Sequence, residues 1–212
     1  MEVHVGQLRG RAPAKQARSR QTRERLIAAG RKLLETRAFE DIAISELAST
    51  AGCSVGAFYH HFSDKEDYYD AVVAAQLEHL WQSFEARFRA EELNDLPTRE
   101  VLARTVDFIR TIMCDNQSLI RISFRRSFAD EEAWTPIRAF GRAFEARVVE
   151  LLAEREIDFT VPDWRAALAF GMQMLYGTLL NAILRRPGPL YIEDEALSEA
   201  LSAMLAQQLR MR

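Results

Sequence analysis

The chain has 212 residues, 48% of them apolar, which is room for one large domain or a small one plus a larger one, with a core that needs no covalent staples. Its two cysteines, Cys53 and Cys114, stand far apart with no His or Cys at ligand spacing, which argues against a zinc site or a disulfide framework and fits a reducing cytoplasm. The net charge of −3 conceals a split: residues 1–37 hold ten Lys or Arg against three Asp or Glu, a net of +7, while residues 38–212 hold 18 against 28, a net of −10, so only the basic end suits an anionic partner.

In chain order, residues 1–17 mix Gly, Pro, Ala and Arg without a period and read as a flexible basic arm, with no apolar run of a secretory signal. A first helix is predicted from Arg18 to about Arg37, with Leu26, Ala29, Leu33 and Leu34 inward and Arg20, Arg23 and Arg31 elsewhere on it. Phe39 is expected to plug a small core. Residues 45–65 read as two short helices joined by a tight turn. Ala48 and Ala51 permit a close crossing, Gly52 suits a positive φ at the reversal, and Ser54 is placed to cap the second helix. Leu47, Phe58 and Phe62 pack inward; Val55, Gly56, Ala57, Tyr59 and His60 are left outward. A helix-turn-helix places such a second helix in the DNA major groove.

The remaining chain is helical as well. Asp64 caps a fourth helix running to about Ala90, with Val73, Leu77, Leu80, Trp81, Phe84 and Phe88 at helical spacing. Helices follow at Thr98–Cys114, at Gln117–Phe128, and at Glu131–Glu156, the last carrying Trp134, Ile137, Gly141, Phe144, Val148 and Leu151. Asp163 caps another that runs to Arg185, Pro187-Gly188-Pro189 ends it, and a last helix spans Glu193–Arg210 with Leu197, Leu201, Met204, Leu205 and Leu209 inward. Residues 166–184 carry no charge, close to the length that spans a bilayer. Gln173, Tyr176, Thr178 and Asn181 dilute the stretch, and a helix apolar on most sides fits a bundle centre or a subunit interface, so no membrane span is expected. The fold class is all-α.

From about Thr22 to Tyr69 the chain resembles the tetracycline-repressor (TetR) family of transcriptional regulators. The resemblance is carried by Arg23-Glu24-Arg25-Leu26-Ile27-Ala28-Ala29, Phe39-Glu40, Ile44, Leu47-Ala48, Ala51-Gly52, Ser54, Gly56, Tyr59, Phe62 and Lys65-Glu66. It implies a three-helix DNA-binding head at residues 18–64 and a ligand-binding and dimerisation body at 65–212. It further implies a homodimer through residues 163–185 and 193–210, and a palindromic operator from which a repressor is released by a small-molecule effector. Carried over by position, Tyr59 and Lys65 contact phosphate, Gly56 lets the backbone approach, and Val55, Ala57 and His60 face bases or backbone, with Arg20 and Arg23 adding charge. Three positions depart from the family's pattern: Ala43 where Thr is common, Val55 where Lys is common and Ala38 where Gly is common. Ala43 has no hydroxyl to offer a phosphate, a role that Ser45 can take, and the basic arm can restore electrostatics through the minor groove.

The residues themselves speak against other functions. Adjacent His60 and His61 point about 100° apart on a helix and cannot comfortably chelate one ion, so no metal or cofactor is expected. No nucleophile–base pair or phosphate loop marks an enzyme. In the body, aromatic and Met side chains are core by base rate, yet pockets between bundle helices are apolar with a few polar groups. The candidate effector contacts are Trp81, Phe108, Ile112, Phe124, Trp134, Phe140, Met172, Gln173, Tyr176 and Asn181, with Met113 and Met174 as adaptable wall and Arg121 as a further polar group. An apolar or amphipathic effector is expected; Asp107 is the carboxylate to consider for a cationic one. The alternative is a ligand-independent DNA-binding regulator, or an adaptor whose body binds another protein. Deleting residues 1–17 is expected to flatten the salt dependence of DNA binding; an unchanged slope of log affinity against log salt removes the arm from the interface.

Overall fold

The computed structural model describes residues 11–34, 37–89, 93–155 and 158–211, with side chains from residue 16 onward. The described residues form helices α1 (Arg11–Leu34), α2 (Ile44–Thr50), α3 (Val55–His61), α4 (Lys65–Arg87), α5 (Thr98–Asp115), α6 (Gln117–Arg126), α7 (Thr135–Ala153), α8 (Trp164–Arg185) and α9 (Glu195–Gln208). Two short 3-10 turns, Phe39–Asp41 and Glu131–Trp134, join them, and the only β-type contact among the described residues is an isolated bridge between Phe159 and Met211. The chain divides into two compact units, residues 1–76 and 77–212.

In the first unit, a greasy interior made of aromatic rings holds two short helices, α2 and α3, that could not stand alone. Leu26, Ile42, Leu47, Phe58, Phe62, Tyr68, Tyr69 and Val72 are all essentially sealed from solvent. The Phe58 ring lies 5.5 Å from Phe62 and 5.2 Å from Tyr68, and Phe39 packs on Tyr69 at 4.7 Å. Ring pairs packed at these distances add to what area burial alone supplies. Tyr68 needs a partner for its hydroxyl in such a place, and donates to the Leu26 carbonyl at 2.7 Å. Burial raises the pKa of that hydroxyl well above the ordinary phenol range.

The turn between α2 and α3 closes as expected. Gly52 has φ +64°, its amide donates to Ser49, and the Cys53 amide reaches back to the Ala48 carbonyl at 2.9 Å. This is a Schellman ending, which satisfies carbonyls the helix leaves open. Ser54 then caps α3, accepting from the Ala57 amide at 3.1 Å, and Asp64 caps α4 by accepting from the Asp67 amide at 2.8 Å.

In the second unit, Phe84, Phe88, Phe108 and Phe144 form an aromatic centre, with Phe84 4.4 Å from Phe144 and 4.7 Å from Phe88. It continues into the buried faces of α8 (Leu168, Met172, Leu175, Leu179, Ile183) and α9 (Leu197, Leu201, Leu205). By length and composition α8 could cross a membrane, yet this face packs into the core of the unit. Gly171 sets the spacing of α8 and α9, because a Cβ there would lie 2.4 Å from Leu205 Cδ2. Arg110 of α5 is buried and fully engaged. It donates to Ser198 Oγ (2.6 Å), the Ile192 carbonyl (3.0 Å) and Asp107 Oδ1 (3.0 Å), tying α5 to α9 and to the loop before it.

Several sequence expectations shift. The first helix begins at Arg11, so residues 11–17, read as arm, are helical; Pro13 is tolerated in a first turn whose N–H groups have no intrahelical acceptor. The expected arm residues 1–10 lie outside the described residues. The helix expected from Glu131 starts at Thr135 after a 3-10 turn, because Pro136 suits a first helical turn and not an interior. α6 ends at Arg126, which leaves Phe128, expected in the core, 79% exposed. The last helix starts at Glu195 and not Glu193, since Asp194 takes the cap position and its carboxylate accepts from the Tyr191 amide at 2.7 Å.

A glycine inside α1 gives this packing a test. A Cβ on Gly30 would lie 2.1 Å from the Tyr68 hydroxyl oxygen and 2.9 Å from Cζ, and that hydroxyl is pinned by Leu26. Ala ordinarily stabilises a helix interior over Gly by about 1 kcal/mol; here overpacking outweighs it. Gly30→Ala is expected to lose roughly 1–3 kcal/mol in urea unfolding. Adding Tyr68→Phe to Gly30→Ala should cost less than the two single changes together.

Candidate nucleic-acid interface

α3 is seven residues long, and its two sides differ sharply. Phe58 is buried; Val55 is 41% and Tyr59 54% exposed, large apolar surfaces turned to solvent. Gly56 and His60 are exposed between them and Ala57 is half-buried. None of these five carries a fixed charge. Around Gly56 a Cβ would find only Ser54 Oγ at 3.8 Å, so the backbone there is open to close approach. Tyr59 is held edge-on by Phe58 at 5.4 Å, which orients its hydroxyl without consuming it.

The positive charge flanks this face. Arg18, Arg20 and Arg25 lie exposed along α1. Arg23, also exposed, extends over the Phe62 ring at 5.3 Å. Arg25, which the residue pattern did not single out, comes within 3.6 Å of where a Gly52 side chain would begin, so it stands beside the helix-turn-helix reversal. Ser45 is exposed in the first turn of α2, and Ala43 occupies the cap position of that helix with no side-chain hydrogen bond. Ala38, where the family favours Gly, has φ −70° and is unstrained.

Lys65 is placed differently from a free phosphate contact. Its ammonium donates to the Glu40 carbonyl at 3.1 Å and lies 4.6 Å over the Phe39 ring, fastening the start of α4 to the 3-10 turn. Arg37 does similar work by pairing with Glu46 of α2 and donating to the Asp41 carbonyl. Both contacts bridge segments that the sequence shows only as neighbours along the chain, which is why no spacing rule finds them.

Of the effector candidates, Trp81 and Phe140 meet at 6.3 Å, and Phe124 meets Trp134 at 5.8 Å. Phe108 and Met172 are buried in the core, and Ile112 and Tyr176 are partly buried against it. Gln173 and Asn181 are exposed on α8. Asp107 is already bound to Arg110 and accepts from Ser198 at 3.0 Å, so it is not a waiting carboxylate.

Residues 26–72 match the family described as bacterial regulatory proteins, tetR family. The Escherichia coli (strain K12) HTH-type transcriptional repressor NemR is 37% identical over 75 residues, 32% of this chain and 38% of that protein. The match thus spans well under half the length of this curated relative. Among solved structures, a protein described as a TetR-family transcriptional regulator from Mesorhizobium loti aligns with a TM-score of 0.72 at 18% identity, covering 91% of this chain and 97% of that one. Salmonella enterica GusR aligns with 0.64 at 16% identity, covering 89% and 95%. At these identities the likeness is one of fold.

His61 gives the head a pH dependence of known sign. It is half-buried, and burial, then His60, then Arg23 lower its pKa from the ordinary 6.5. Above that value His61 is neutral folded or unfolded and costs nothing. As pH falls through it, the unfolded chain takes up the proton more readily than the folded one, and stability is lost. The fall in melting temperature between about pH 7 and pH 5 should be smaller in His61→Gln than in the wild type.

Proposed function

The chain belongs to the TetR family of bacterial regulators, and on that premise we propose that it is a cytoplasmic, dimeric, DNA-binding transcriptional repressor released from a palindromic operator by a small apolar or amphipathic effector. The observation that carries this is the exposed face of α3, built on a buried aromatic anchor and flanked by the arginines of α1. Val55 and Ala57 suit thymine methyl groups, Tyr59 and His60 suit phosphate or base edges, and Gly56 allows the helix to seat closely. Positive charge from Arg20, Arg23 and Arg25 supplies the sequence-independent attraction.

Dimerisation is assigned to α8 and α9. The side of α8 away from the core exposes Phe170 (53%) and Met174 (40%), with Gly177 leaving open space, a pattern suited to a facing helix. Two heads in a symmetric dimer would present their α3 helices to half-sites one DNA turn, about 34 Å, apart. α4 runs without a break from the first unit into the second. On this reading, an effector that binds two arrangements of the body unequally changes the spacing of the heads through this helix.

Selection of bound DNA from a random pool should yield an inverted repeat with half-sites about one turn apart. Tyr59→Ala should weaken binding to that site about tenfold or more at unchanged melting temperature, and Val55→Lys should strengthen it while steepening its salt dependence. Recovery of no repeat, or a Tyr59→Ala protein that binds as tightly as the wild type, overturns the reading.

A further inference from the structure

α1 is 24 residues long, yet only its C-terminal part is packed into the head. From Gln16 to Arg25 no side chain is buried, and burial begins at Leu26. The N-terminal part is strongly charged. Between Arg11 and Arg25 the sequence places six Lys or Arg and a single acid, Glu24. That placement works against a helix standing in water. A helical stretch without an apolar face to bury is marginal. Like charges three or four residues apart repel, and Arg11, Lys15 and Arg18 have that spacing. The first turn of α1 also holds no acidic residue to suit the positive end of the helix dipole.

The charges are in register. Arg11, Lys15, Arg18, Thr22 and Arg25 follow one another by 4, 3, 4 and 3 residues, which puts them on one line along the helix. The C-terminal end of this line is ordered by local bonds. Thr22 Oγ1 donates to the Arg18 carbonyl at 2.9 Å and accepts from the Arg25 guanidinium at 3.4 Å. Arg25 in turn stands 3.6 Å from where a Gly52 side chain would begin, at the reversal that leads into the exposed strip of α3. The line thus starts beside that strip and continues from Arg25 back to Arg11, about 21 Å at 1.5 Å per residue. Over such a length one DNA strand presents about six phosphates.

A line of cations with no acid among them, unfavourable to its own helix and continuous with the α3 strip, has the chemistry that suits a polyanion. We propose that the N-terminal part of α1 is a second DNA contact, a helix that lies along the phosphates outside the half-site read by α3 and lengthens the footprint without reading sequence. This rests on the DNA-binding reading of the head and deepens it. It differs from an unstructured arm in one respect: the charge must sit on the line through Arg11, Lys15 and Arg18, not merely near the start of the chain.

The test uses the full chain and duplexes that carry the selected inverted repeat with mixed-sequence flanks of about two or about ten base pairs. At low salt the wild type should bind the longer duplex at least about tenfold more tightly. The variant Arg11→Gln, Lys15→Gln, Arg18→Gln should bind the two duplexes within about threefold of each other, and on the longer one its salt slope should fall by about 0.9 for each contact removed. The variant Ala14→Lys, Lys15→Ala, Ala17→Arg, Arg18→Ala keeps the composition and turns two charges about 100° around the helix; it should lose the preference as well. If it keeps the wild-type preference, the charge acts as an unstructured tail and the proposal falls. A preference seen only with A·T-rich flanks assigns the segment to the minor groove and also overturns it. A wild type that binds both duplexes alike overturns the proposal and leaves the DNA-binding reading standing. A chain that selects no repeat at all overturns that reading and the proposal with it.

Discussion

Everything at the head depends on a helix too short to hold itself. An isolated helix of seven residues is unstable in water, since nucleation costs more than two turns of hydrogen bonds return. α3 persists because Phe58 is clamped between Phe62 and Tyr68, and because both its ends are fixed by local bonds, Ser54 before it and the Phe62 amide to the Phe58 carbonyl after it. With its inner side committed to aromatic packing, the helix has only a narrow outer strip to offer a partner. Small residues on that strip are what permit close seating, and that is where Gly56 and Ala57 stand.

The same constraint explains where the charge is. The outer strip, Val55, Gly56, Ala57, Tyr59 and His60, carries no fixed charge. Positive charge lies instead along α1, whose length gives it room for exposed arginines that do not compete for the strip. Lys65 and Arg37 are spent inside the head: one fastens α4 to the 3-10 turn, the other fastens α2 to the same turn. The charge of α1 and the small-residue strip of α3 thus lie on separate elements, fixed relative to each other by the Tyr68–Leu26 bond and the rings around it.

What could be read from the residues was whatever is decided locally. Gly52, Ser54 and Asp64 announce their turn and caps because the bonds involved span only three to five residues. The long helices of the body follow from apolar spacing, and the Pro136 start follows from the missing N–H, a signal that was present and outweighed by the periodicity around it. Contacts between distant segments were not legible. No spacing rule joins Tyr68 to Leu26, whose carbonyl accepts from its hydroxyl across the fold. Gln173 and Asn181 look like polar groups for a pocket until the orientation of α8 turns them outward. Phe128 looks like core until α6 ends two residues before it.

The body shows what it takes to hold a charge in its interior. Arg110 is buried with donors satisfied by a hydroxyl, a carbonyl and a carboxylate, and the arrangement ties α5 to α9; removing any member would leave the others stranded, so its role is structural.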